Sequence, residues 1–186
     1  MRGSVLVVDM VKDTFIEDHP LPITPYAEAI APRIDAVTRF GRDRGWPVVF
    51  ACDSFVKDDF IFEGKMQPHS LRGTAGSEVT DRLEVLPGDV YLPKRRFSAF
   101  FKTDLDTTLR TAGVDTVVVC GISTHICVLA TTLDAVCHDF SAVVVEDATA
   151  AFNPEIHERT LANYRRNPLY PLLRVMTSKE LFDLAG

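Results

Sequence analysis

Residues 116–138 read TVVVCGISTHICVLATTLDAVCH, and this stretch decides the fold. Positions 116–120 are apolar or β-branched one after another, without the polar alternation of a strand that has one wet face. That pattern belongs to a strand covered on both sides. Gly121 ends the run, and 124–138 then carries a helical pattern. The same unit recurs along the chain. Residues 4–9 (SVLVVD), 47–52 (PVVFAC), 90–92, 142–147 (AVVVED) and 172–176 (LLRVM) are further strand candidates. Between them Ala27, Ile30, Ile34, Val37 and Gly41 share a 3.6-residue stripe, with Pro32 marking a kink or a start. Thr103 caps a helix carrying Leu105, Leu109 and Ala112, closed by Gly113. Asn153-Pro154 opens another, and 178–185 makes a short last one. Alternating strands and helices imply right-handed crossovers. The fold class is therefore α/β, a Rossmann-like three-layer sandwich with a six-stranded, mainly parallel sheet and helices on both faces.

Composition bounds the function. The 186 residues suit a single domain, 1–186, and are 46% hydrophobic and 25% charged, which excludes disordered and low-complexity classes. A net charge of −6 argues against nucleic acid or an anionic membrane as partner. Apolar runs such as 114–122 are too short to span a bilayer, and Asp9 interrupts any signal-peptide core. Cys52, Cys120, Cys127 and Cys137 have no CxxC spacing, which reads as reduced thiols in a cytoplasmic protein. There is no P-loop, no GxGxxG and no zinc-spaced set.

In open parallel sheets, ligands bind beyond the carboxyl ends of the strands. Those ends carry Asp9, Cys52-Asp53, Pro93-Lys94, the turn from Gly121 to Cys127, and Glu146-Asp147. Cys127 falls in the first turn of a helix, where free N–H groups and the macrodipole favour a thiolate and lower the thiol pKa. Asp9 supplies a base and Lys94 a positive charge, and the tight 121–127 turn aims N–H groups at one spot, as an oxyanion hole requires. The plain alternatives are a buried cysteine serving as a small hydrophobe, an acid capping a loop, and a lysine in a solvated run with Arg95 and Arg96. The hydrophobe reading suits Cys52, Cys120 and Cys137. Gly121-Ile122-Ser123-Thr124-His125 falls short of a serine nucleophile elbow, because histidine replaces the closing glycine. The long stretch 53–77 reads as a functional loop.

Three dispersed segments together resemble the isochorismatase-like cysteine hydrolases, which include nicotinamidase (pyrazinamidase) and N-carbamoylsarcosine amidase. They are Asp9-Met10 with Asp13, then Lys94 ahead of Phe97-Ser98-Ala99-Phe100, then Gly121 to Val128 followed by Thr131-Thr132-Leu133-Asp134-Ala135. The resemblance implies an amidohydrolase acting on a non-peptide C–N bond of a small-molecule amide through a thioester. Asp9 would be the base, Lys94 the cation and Cys127 the nucleophile. A cis peptide at Ile122–Ser123 and an oxyanion hole from the Ser123 and Cys127 N–H groups are also implied, as is a homo-oligomer, dimer or tetramer.

Phe15, Asp53, Phe55, His69 and Phe97 are the expected pocket walls, with a subunit interface an equal use for the loop phenylalanines and loop ordering an alternative for His69. Nicotinamidases add a metal that begins from an Asp-x-His pattern. Here Asp53-Ser54-Phe55 lacks that histidine, leaving Asp53 and His69 as the weak candidates, so no metal or other cofactor is expected. Alternatives are an isochorismatase-type ether hydrolase, whose members lack the cysteine, and a catalytically silent binding or scaffold member of the fold.

Overall fold

The computed structural model describes residues 1–184. Six strands form one sheet: β1 (Gly3–Val8), β2 (Val48–Asp53), β3 (Val90–Lys94), β4 (Thr116–Ile122), β5 (Ser141–Ala150) and β6 (Leu173–Met176). Their order is β3-β2-β1-β4-β5-β6, and every neighbouring pair is parallel. The helices are α1 (Thr24–Arg42), α2 (Leu105–Thr111), α3 (Leu129–Cys137), α4 (Pro154–Arg165) and α5 (Ser178–Leu184). Residue 185, the end of the expected last helix, lies outside the described residues. Among the described residues no helix is long and apolar enough to cross a membrane.

Consecutive apolar residues feed two cores. Val5 and Val7 of β1 pack with Ile30, Ile34 and Val37 of α1 and Leu181 of α5. Leu6 and Val8 point the other way, towards Leu105 and Leu109 of α2, Ala135 of α3 and Leu161 of α4. Each such buried aliphatic side chain contributes roughly 1.5–3 kcal/mol, so a polar residue in either set would be poorly tolerated. Pro32 sits inside α1 but on its exposed side, where water can serve the carbonyl its missing N–H leaves free.

Three elements depart from the sequence reading. β3 runs on through Pro93 to Lys94, because it is an edge strand and a proline costs it no ladder bond on its open side. The 124–138 helix begins instead as a wide π turn, Thr124–Val128, before α3. β5 extends to Ala150 because the β4 register slips from Val119 opposite Val144 to Gly121 opposite Thr149. That bulge carries Glu146 and Asp147 away from the strand ends. Asp147 accepts from the Ser178 N–H and hydroxyl at 2.7 Å each, and Glu146 pairs with Arg165 at 3.0 Å.

Candidate active site

From β1 the chain first goes to β2 and β3 on one side, then returns to β4 on the other. The order therefore reverses between β1 and β4, and their carboxyl ends open a crevice. Asp9 follows β1 directly and holds a left-handed backbone, φ 54°. For a residue other than glycine this costs of order 1–3 kcal/mol, and it persists only where its surroundings fix it. They do: the Asp9 N–H donates to Ala51 O at 2.9 Å, and the Asp53 N–H donates to Asp9 Oδ1 at 2.8 Å. Gly121 of β4 lies beside Val8 at φ 105°, so close that a Cβ there would sit 2.1 Å from the Val8 carbonyl oxygen. Only glycine lets β4 deliver the next turn so near to Asp9.

Lys94 ends β3 in register with Asp53 of β2. Its ammonium, with the residue 1% exposed, lies 2.5 Å from Asp53 Oδ1, 2.8 Å from Asp9 Oδ2 and 3.2 Å from the Arg96 carbonyl. Hydrogen-bond alignment is best to Asp53 and Arg96, and Asp9 Oδ2 meets the ammonium as an ion contact. Cys127 completes the group: its sulfur and oxygens of Asp9 and Asp53 all lie within 4.8 Å of one another. The basic run divides its labour. Arg95 and Arg96 leave Lys94 to the interior and clamp the buried Asp59 carboxylate at 2.8 and 2.9 Å.

Burial pushes the Asp9 carboxyl up to about 7, the Asp53 charge adds to this, and Lys94 opposes it. Burial also works against the Lys94 charge, but Asp9, Cys127 and Asp53 outweigh it and hold the ammonium well above its usual range. The Cys127 thiol is raised, first by burial and then by Asp9. The expected lowering by a helix dipole is thus overturned. A macrodipole supplies about 0.3–1 kcal/mol at a surface, whereas burial can move a pKa by several units, at 1.36 kcal/mol each. Cys52 and Cys120 are likewise buried thiols pushed up by desolvation.

Ile122–Ser123 is a cis peptide. In the π turn that follows, the Ser123 carbonyl accepts the N–H groups of Ile126 at 3.0 Å and Val128 at 3.3 Å, passing over that of Cys127 between them. The Thr124 hydroxyl lies 2.8 Å from His157 Nδ1 and ties the turn to α4.

A cavity of about 150 Å³ opens over these groups. Asp53, Phe55, His69 and Phe97 line it, as do Ile122, Ser123 and Cys127. Phe15 does not. It is buried against α1, with the Arg82 guanidinium 5.4 Å from its ring, and lines a wider, open depression that holds no nucleophile. Thr14 reaches the cavity in its place, because the 3-10 turn Lys12–Phe15 turns the two residues to different sides. Val11, Leu21, Ile23, Met66, Ser70 and Ile126 also line it and were not singled out from the sequence. Most come from irregular segments, which carry no periodicity to read. Asp13, part of the first motif, anchors the loop. Its carboxylate accepts from the Ser70 N–H at 2.6 Å and fills the space a Cβ on Gly76 would need.

The donors do not make a shell for a divalent ion. Asp53 is bonded to Lys94, and His69, whose Nε2 is not used by its bond to the Gln67 carbonyl, has the Phe55 ring edge-on beside it at 5.3 Å and belongs to no cluster of three potential ligands among the described residues. Among the described residues the one cluster of three potential ligands, Asp9, Asp53 and Cys127, already surrounds the Lys94 ammonium.

Known proteins are similar to this chain over most of its length. A protein of Arabidopsis thaliana described as "Probable inactive nicotinamidase" is 34% identical over 174 residues, 87% of each chain. An isochorismatase-like hydrolase from Alkaliphilus metalliredigens superposes with a TM-score of 0.87 at 29% identity, covering 100% of both chains. N-carbamoylsarcosine amidase from Thermoplasma acidophilum gives 0.81 at 35% identity, covering 96% of this chain and 97% of that one. The model of the isochorismatase domain matches residues 4–180, and the chain belongs to the isochorismatase family of hydrolases.

Proposed function

We propose that this protein is a cysteine amidohydrolase that cleaves the C–N bond of a small amide through a thioester on Cys127. One observation carries the reading: a buried ammonium fixed between two carboxylates, with the Cys127 sulfur and an oxygen of each carboxylate all within 4.8 Å of one another. A cysteine serving only as packing needs none of that buried charge, whose desolvation is expensive.

In the cycle, Asp9 takes the Cys127 proton as the sulfur bonds to the amide carbon, so no free thiolate need exist at rest. Lys94 stays charged throughout and stabilises the carboxylate form of Asp9. The tetrahedral oxyanion lies against the Ser123 and Cys127 N–H groups, each worth about 2.7–4 kcal/mol of barrier. The C–N bond breaks as protonated Asp9 gives its proton to the departing nitrogen. Water then adds to the thioester carbon, its proton passes to Asp9, and collapse returns that proton to the Cys127 sulfur. Retention of Cys127 argues against ether hydrolysis of the isochorismatase type. A silent scaffold is the reading that the description of the Arabidopsis relative brings to mind, and the buried ion set argues against it too.

The test is ammonia release from a panel of small amides and ureido compounds, among them nicotinamide, pyrazinamide and N-carbamoylsarcosine. The wild type should turn over at least one, and Cys127→Ala none. Equal activity in Cys127→Ala, with loss in Ser123→Ala, would transfer the nucleophile to the serine.

A further inference from the structure

The cavity has an unusual charge inventory for a site that handles carboxylic acid derivatives. Besides His69, its ionisable side chains other than the thiol are Asp9 and Asp53, both acids, and among the described residues neither an arginine nor a lysine lines it. The Lys94 ammonium beneath is closed off by its two carboxylates and the Arg96 carbonyl. Arg72 is engaged with Ser54, its Nε 3.1 Å from the hydroxyl, and faces a separate depression beside Arg95 and Arg96. A carboxylate carried on a substrate's tail would lose its water here and meet neither an arginine nor a lysine. Such burial is strongly unfavourable.

The rest of the wall is mostly apolar, from Val11, Leu21, Ile23, Phe55, Phe97 and Ile126, with two polar exceptions besides Thr14 and Ser123. Ser70 is fully buried, and its hydroxyl has no partner among the described residues. Unsatisfied buried hydroxyls are rare enough to call for a ligand or a water. His69 is the second. A carbonyl only accepts, so the bond to Gln67 puts a proton on Nδ1, and in the neutral ring Nε2 is then an acceptor.

Resting on the amidohydrolase reading, we infer that this site selects compact, uncharged amides, and that the Ser70 hydroxyl determines specificity by binding a polar atom on the substrate's tail. The 150 Å³ of space is well below the ~300–1,000 Å³ of drug-sized ligand sites, which limits the tail to a few atoms.

A matched pair tests the charge. Succinamate and 3-nitropropanamide have the same shape and differ by one negative charge. Ammonia release should show kcat/KM at least about 100-fold higher for the nitro compound, since each tenfold is only 1.4 kcal/mol. Ser70→Gly tests the hydroxyl: glycine accepts the φ of 46° at Ser70 and keeps the N–H that Asp13 binds. The wild-type preference for 3-nitropropanamide over butyramide should shrink about tenfold in this variant, the loss of one hydrogen bond, and through KM rather than kcat. A ratio near one or favouring succinamate overturns the charge selection while the hydrolase reading stands. An undiminished preference in Ser70→Gly overturns the role of the hydroxyl. No ammonia from any of these amides, nor from the wider panel, takes down the hydrolase reading and this inference with it.

Discussion

Asp9 sets the working pH. The attack needs Asp9 as carboxylate and Cys127 as thiol, and burial holds that carboxyl at about 7. Activity should therefore rise about tenfold per pH unit on the acid side and level off above about 7, measured as kcat/KM between pH 5 and 9. In Asp9→Asn that limb should vanish with the activity. A profile flat down to pH 5 would mean that another group is the base. At this scale the sequence was readable in part. Asp9, Lys94 and Cys127 stand at strand ends where chemistry gathers, and all three meet. The direction of the thiol shift was not readable, because it depends on how much protein covers the sulfur. The second acid, Asp53, was expected as a pocket wall, yet it also makes the short bond to Lys94. Nothing in DSFVKDDF, residues 53–60, tells which acid a lysine 41 residues beyond the first of them will choose.

At the scale of elements, one contact between strands governs how the nucleophile turn meets Asp9. A Cβ at position 121 would collide with the Val8 carbonyl, and the backbone there is left-handed. Gly121→Ala should cost about 3 kcal/mol or more of stability, read by denaturant unfolding, with activity falling further than the loss of folded protein explains. Unchanged stability and turnover would show that the close approach of β1 and β4 is dispensable. Strand existence was legible because consecutive β-branched residues have few other uses. Strand ends were less so: the bulge opposite Val119 lengthens β5, and Pro93 reads as a terminator until β3 is known to be an edge. The widened Thr124–Val128 turn has no compositional mark, since both helix types are built from the same residues.

The whole molecule bears the cost of the buried charges. An acid whose folded pKa, about 7, exceeds its ordinary 3.8 binds more protons folded than unfolded between those values. Its contribution to stability is complete below 3.8 and is lost as pH rises to about 7, opposite to a surface carboxylate in a salt bridge. Unfolding free energy should therefore decline from pH 5 to 7.5 more steeply in the wild type than in Asp9→Asn, and equal slopes would refute the buried, raised carboxyl. The two cores and the topological reversal that bring this acid under the sulfur were predictable as a class, since alternation of strand and helix leaves few arrangements. The most direct test of the whole account is rapid acid quenching of the turning-over enzyme with its best amide, followed by peptide mass analysis. A thioester on the peptide containing Cys127, heavier by the substrate less the departing amine, is the predicted result. Full turnover with no acyl group ever found on Cys127, and with activity kept in Cys127→Ala, would contradict it.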